Sequence, residues 1–217
     1  MNRALTFSLF ILLAVLVSVR CCYSQVINWE RTYGGSDNEY ATSIKQVNGG
    51  YLVAGYTHST DGDVEYPLGN TDVWVVKCDT AGNIIWTNTY GSFSQDIAYS
   101  MNPTADGGCI LGGSITMNGL QGTVFQGVRD YFVVKVDSLG NVEWQKLFGG
   151  PDIDILKDIQ QTSDGGYVMC GFVFSGGGQI STYKGGVSDV WVVKVGDTGR
   201  IEWEKALGGT DEENAHA

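Results

Sequence analysis

From residue 26 onward the apolar positions fall in short runs with a period of two, the spacing of strands whose successive side chains point to opposite faces. In Asp72-Val-Trp-Val-Val-Lys77, Trp74 and Val76 share one face and Val73 and Val75 the other. Both faces are apolar, and such a strand has to be covered on both sides. A different pattern follows in residues 84–90. There Ile84, Trp86 and Tyr90 alternate with Ile85, Thr87 and Thr89, and later counterparts of the second set include Glu143, Gln145, Glu202 and Glu204. A half-wet strand of this kind belongs at the outer edge of a sheet.

These patterns repeat. Trp29, Trp86, Trp144 and Trp203 are separated by 57, 58 and 59 residues, and each sits in a phrase such as Asn141-Val-Glu-Trp-Gln-Lys-Leu-Phe-Gly-Gly150. Twelve residues before the last three stand Trp74, Phe132 and Trp191, inside Asp72-Val-Trp-Val-Val-Lys77, Asp130-Tyr-Phe-Val-Val-Lys135 and Asp189-Val-Trp-Val-Val-Lys194. Upstream lie Gly49-Gly-Tyr-Leu-Val-Ala-Gly55, Gly107-Gly-Cys-Ile-Leu-Gly-Gly113 and Gly165-Gly-Tyr-Val-Met-Cys-Gly171. A further phrase covers 40–47, 97–104 and 155–162, with Ile44, Met101 and Ile159 in register. Each unit therefore reads as four strands, A to D. Asp/Asn-Gly-Gly turns join A to B, and Asp79-Thr-Ala-Gly82 and its counterparts join C to D, so each unit is an antiparallel meander. The B-to-C link is long and variable. Gly55, Gly113 and Gly171 share one register, where two backbones are expected to approach closely.

Four-stranded units with buried middles and wet outer strands, repeated in line, are the design of propeller blades. The expected fold is all-β: a partial β-propeller of about three four-stranded antiparallel blades plus one extra strand, thirteen strands in all. The units span 36–92, 93–150 and 151–209. A lone D strand at 26–33 precedes them, and a stub at 210–217 breaks off inside a strand A. The chain thus reads as a fragment of a longer protein, with the missing blades of the same polypeptide among its partners.

Composition narrows the function classes. The 217 residues include 31 Gly and only 3 Pro, and the formal net charge is −11, a poor match to nucleic acid or anionic membrane surfaces. Asn2-Arg3, an apolar stretch over 4–19 and Cys22-Tyr23-Ser24 read as a signal peptide over 1–24, with 25–217 as the mature domain, secreted or at the cell surface. Loss of Arg3 and Arg20 brings the mature charge to −13. Lipidation at Cys21 or Cys22 is the alternative, and Arg20 fits it badly. Cys78, Cys109 and Cys170 remain, an odd number at wide spacing that makes neither a disulfide framework nor a zinc pattern. They read as small buried hydrophobes, with one disulfide left open.

The Asp-Val-Trp-Val-Val-Lys, Trp-x4-Gly-Gly and Asp-Gly-Gly phrases resemble the β-propeller repeats of secreted bacterial proteins, including seven-bladed-propeller-type repeats. They are also similar to the long repeat proteins exported by Bacteroidetes-type bacteria. The resemblance runs from residue 26 to the C-terminus. It implies fold and export, and it implies no catalytic residues.

Candidate chemistry is sparse. Neither histidine, His58 nor His216, accompanies a nucleophile motif. Asp61, Asp63 and Glu65 alternate in the first B–C loop as calcium ligands can, without the rest of a calcium-loop pattern and without counterparts in the other loops. Asp72, Asp130 and Asp189, and Lys77, Lys135 and Lys194, recur in every unit, which points to architecture: bonds to turns or pairs between neighbouring units. The B–C loops carry the aromatics Tyr66, Phe125 and Tyr183, suited to stacking on sugars or peptides. The reading is a non-catalytic scaffold for protein or glycan binding, with no catalytic residue, metal or cofactor assigned. A propeller lectin, or a propeller enzyme whose active site lies outside this fragment, is the alternative.

Overall fold

The computed structural model describes residues 27–116 and 123–213, an all-β chain with twelve strands and, among the described residues, no helix. Three antiparallel four-stranded sheets follow one another, each ordered as in the chain. Sheet I holds β1 (Glu39–Val47), β2 (Gly50–Thr57), β3 (Asp72–Asp79) and β4 (Ile84–Tyr90). Sheet II holds β5 (Asp96–Pro103), β6 (Cys109–Ile115), β7 (Asp130–Val136) and β8 (Val142–Phe148). Sheet III holds β9 (Asp154–Gln161), β10 (Tyr167–Val173), β11 (Asp189–Val195) and β12 (Ile201–Leu207). The segment 1–24 and His216 lie outside the described residues.

Turn chemistry explains the meanders. The A–B turns place Gly49, Gly107 and Gly165 at φ of 82°, 86° and 88°, a region open mainly to glycine. At the C–D turns Asp79 Oδ1 accepts the N–H groups of Ala81 and Asn83, and Asp137 Oδ1 those of Leu139 and Asn141. These Asx bonds do locally what a ladder does elsewhere.

Each first strand carries one extra residue. The register of β1 on β2 shifts between Ala41 and Ser43, that of β5 on β6 between Ala98 and Ser100, and β9 bulges at Lys157. The bulged residues are Thr42, Tyr99 and Lys157, and opposite them stand Gly55, Gly113 and Gly171. A Cβ on Gly113 would overlap the carbonyl oxygen of Ile97, and the other two glycines meet the carbonyls of Tyr40 and Ile155 in the same way. The expected close approach is therefore the bulge itself. Gly113→Ala is expected to cost about 1–3 kcal/mol through overpacking; an unchanged urea midpoint would show that the bulge yields without strain.

The sheets stack face to face in chain order. Leu52, Val73 and Val75 of sheet I pack with Met101, Leu111, Phe132 and Val134 of sheet II. On the other side of sheet II, Ile110, Tyr131 and Val133 meet Leu156, Ile159, Met169, Trp191 and Val193. The third strands of sheets I and II are thus buried on both faces, as their alternation demanded, while in β11 Val190 and Val192 on the outer face are half-buried. Trp74, Phe132 and Trp191 are 7%, 2% and 0% exposed and all turn toward the preceding side of their sheet. Among the described residues no sheet lies above Trp74; Val64 and Tyr33 cover it instead. Single parallel bridges, Thr71↔Gln95, Arg129↔Ile153 and Ser188↔Glu212, tie each third strand to the start of the next unit.

The expected thirteenth strand is not there: residues 27–33 carry no strand. A strand needs a ladder partner, and among the described residues no third strand lies beside this segment to supply one. Its side chains nonetheless take the place of a fourth strand. The Trp29 ring lies against Gly82, as Trp86 lies against Gly140 and Trp144 against Gly199. Tyr33 Oη donates to the Gly82 carbonyl at 2.7 Å, and Tyr90 Oη donates to the Gly140 carbonyl at 2.7 Å.

Candidate functional site

The recurring aspartates hold loops. Asp72 Oδ2 accepts the N–H groups of Leu68 and Gly69 at 2.8 and 3.2 Å, Asp130 Oδ2 that of Gln126 at 2.7 Å, and Asp189 Oδ2 that of Lys184. Each thereby anchors the end of its B–C loop to the first residue of a third strand. The recurring lysines stay mostly within their own sheet. Lys135, 2% exposed, pairs with Asp106 at 2.8 Å and Glu143 at 3.3 Å, and Lys194 pairs with Asp164 at 3.1 Å and Glu202 at 3.0 Å. Lys77 differs: it donates to the Ser138 carbonyl of sheet II at 3.0 Å.

The structure adds a second set of acids. Asp96, Asp154 and Glu213 stand where the next unit begins, beside the parallel bridges, so each faces the aspartate of the unit before. The corner glycine between them leaves the room. A Cβ on Gly149 would lie 2.8 Å from Asp130 Oδ1 and closer still to Asp154 Oδ2. A Cβ on Gly208 would lie 2.8 Å from Glu213 Oε2 and closer still to Asp189 Oδ1. Buried oxygens on these pairs have no hydrogen-bond partner: Oδ1 of Asp72, Asp130, Asp154 and Asp189, and Oε2 of Glu213. Burial pushes the carboxyls up, Asp72 in direction, Asp96 and Asp130 to about 6 and Asp154 to about 8. The neighbouring charges of Asp72 on Asp96, and of Asp130 and Asp152 on Asp154, add to it. A proton on Asp96, Asp130 or Asp154 turns a carboxylate oxygen from an acceptor into a donor, and burial favours that neutral form.

Asp61 and Asp63 are already committed. Asp61 Oδ1 accepts the Ser36 N–H at 2.7 Å and Asp63 Oδ2 the Gly34 N–H at 3.1 Å, pinning the entry to β1. Among the described residues no group of three His, Cys, Asp or Glu side chains is placed to hold a metal ion. The three cysteines are free thiols; Cys78 and Cys109 are buried and Cys170 half-buried. Of the loop aromatics, Tyr66 is 72% exposed, but Phe125 packs on the core between sheets I and II. Tyr183 packs between sheets II and III, its hydroxyl donating to the Phe174 and Gly186 carbonyls. Only Tyr66 is therefore free to stack on a ligand, at a positive φ of 57° unusual for a bulky residue. Phe93, 80% exposed, lies in the adjoining corner, where Gly69 of the Tyr66 loop rests on the Phe93 backbone.

A second surface runs along the edge formed by β1, β5 and β9. Tyr40 stacks on Tyr56 with ring centroids 4.7 Å apart, and His58 lies about 6 Å from both rings, at 6.0 and 6.1 Å. Next to it the Lys157 ammonium sits 4.2 Å from the Tyr99 ring centroid and 5.3 Å from that of Phe172. Burial, and then the Arg129 charge, lower the Lys157 pKa. Two of these residues, Tyr99 and Lys157, are the bulged ones, and the bulge aims them along the edge. No identical residue recurs at these positions: Tyr40 matches Ile97 and Ile155, Tyr56 matches Ser114 and Phe172, His58 matches Thr116 and Phe174, and Tyr99 and Lys157 match Thr42. Variation at equivalent positions was legible in the repeats, but only the bulge and the stacking bring the variable residues together.

Compared with known proteins, the chain matches no protein-family model and no curated sequence.

Proposed function

We propose that this chain is an exported, non-catalytic binding scaffold whose sheets are blades of a β-propeller. The blade reading is supported by the stacking of like meanders with their first strands adjacent. Thr42 Oγ1 donates to the Ala98 carbonyl at 2.9 Å, and Asn102 Nδ2 donates to that of Ile159 at 2.6 Å. The wet fourth strands lie at the opposite edge, as at a propeller rim.

The observation that carries the binding role is the row Tyr40, Tyr56, His58, Tyr99, Lys157 and Phe172. Residues that recur in every unit anchor loops and turns. The residues of this row differ from unit to unit, and they combine aromatic platforms with a cation in an acidic chain. Rings stack on the apolar faces of sugars, and Lys157 with Arg129 suits a carboxylate-bearing one. A lectin with one sugar site per blade would repeat the same residues in each unit, which this row does not do.

A glycan array comparing acidic with neutral oligosaccharides tests the reading. Acidic glycans are expected to bind, and Tyr99→Ala to weaken them about tenfold, the equivalent of ~1.4 kcal/mol. No glycan bound, or binding indifferent to Tyr99→Ala and Lys157→Ala, would refute it.

A further inference from the structure

The two outer faces of the stack carry the same chemistry as its two inner interfaces. On sheet I, Ile44 is 65% exposed, while its counterparts Met101 and Ile159 are 0% and 1% exposed beneath the preceding sheet. Ala41 is exposed where Ala98 and Leu156 are buried. Tyr33, Tyr40, Val53, Trp74 and Val76 line a cavity of about 170 Å³ on this face. In sheets II and III the corresponding positions hold Leu111, Phe132 and Val134, and Met169, Trp191 and Val193, all buried against a neighbour.

Sheet III presents the complementary face. Val168, Cys170, Val190 and Val192 are only half-buried and Leu207 is 45% exposed. Their counterparts on sheet I are Leu52, Ala54, Val73, Val75 and Tyr90, all buried in the interface with sheet II. Trp203 is 50% exposed, whereas Trp86 and Trp144 rest on glycines of the following sheet. One face of the pair is what sheet II offers to sheet I, and the other is what sheet I offers to sheet II.

We propose that a second copy of this chain docks head to tail, its sheet III covering sheet I. The contact continues the interfaces between sheets I and II and between sheets II and III, with the same residue types in the same register. It is heterologous, because the two faces differ. The segment 27–33 now holds the fourth-strand place on sheet I through Trp29 and Tyr33 alone, without a ladder, and β12 of the arriving copy displaces it. The proposal rests on the equivalence of the faces and holds whether or not the stack closes into a ring.

Size-exclusion chromatography with light scattering on residues 25–217 decides it. Ile44→Lys and Leu207→Lys each spoil one face, and both side chains are exposed enough that folding, checked by circular dichroism and the urea midpoint, is unchanged. Lysine also lowers the net negative charge, so loss of association cannot come from added repulsion. The wild-type chain is expected to associate at micromolar concentration and each variant to be monomeric. An equimolar mixture of the two variants is expected to restore a one-to-one dimer, since it recreates one intact face pair. A monomeric wild type, a Leu207→Lys chain that still dimerises through sheet I alone, or a mixture that stays monomeric would overturn the proposal.

Discussion

Replacing Trp191 with Ala is expected to destabilise the fold by about 3–5 kcal/mol, the range for removing a large side chain from a packed core. Trp191 is fully buried between sheets II and III, its ring 5.1 Å from that of Tyr131. Its indole N–H donates to Glu204 Oε2 at 2.6 Å, and Glu204 in turn accepts from Ser181 and Thr182 of the B–C loop. Truncation therefore opens a cavity, leaves the Tyr131 ring without its neighbour and frees the carboxylate that fastens the loop. The equivalent change at Trp74, which Val64 and Tyr33 cover in place of a packed sheet among the described residues, is expected to cost less. A two-state urea titration in which Trp191→Ala loses less than about 1 kcal/mol would show that the third strand of sheet III is not central.

Stability is expected to fall as the pH rises from about 5 to 9. Asp96, Asp130 and Asp154 have folded-state pKa values of about 6, 6 and 8, above the ~3.9 of an unfolded aspartate. The folded chain then binds more protons than the unfolded chain between pH 4 and 8, so the slope of stability with pH is negative there. The contribution is fully present below the unfolded value and is lost as the pH passes each folded value. For Asp154 alone the loss is on the order of 3–5 kcal/mol. Asp106 and Asp164 act in the opposite sense. Hydrogen bonds hold their carboxyls down at about 2, to Asp106 from Lys135 and Thr104, and to Asp164 from Thr162, the Gly166 N–H and Lys194. Their contribution is present above the ordinary carboxylate range and lost as the pH falls toward 2. Together the two sets place the optimum near pH 4–5. Urea midpoints at several pH values measure the profile, and Asp154→Asn, which stays neutral, should flatten its alkaline limb. A midpoint that rises between pH 5 and 8 would rule out raised carboxyl pKa values at the sheet junctions.

Much of this architecture is local and was therefore open to reading from the chain. Period-two alternation, Gly at positive φ in the turns and the apolar doublet Val73-Trp74 set strands, meanders and double-sided burial, because each depends on residues a few positions apart. The repeat extended the same reading to all three sheets.

What tertiary structure decided involves partners far apart or missing. Residues 26–33 carry a fourth-strand pattern, yet 27–33 form no strand, since a ladder needs a neighbour that alternation cannot provide. Phe125 and Tyr183 sit in loops, yet pack inward, because loop length lets them reach the gaps between sheets. Asp72 and Asp130 stood out by recurrence, but their opposite numbers, Asp96 and Asp154, belong to the following unit and meet them only once the sheets stack. The row of Tyr99, Lys157 and Phe172 likewise exists only because a bulged residue in each first strand turns its side chain along the edge. Short-range backbone preference chose the elements in this protein; the stacking of one sheet on the next chose which side chains face each other.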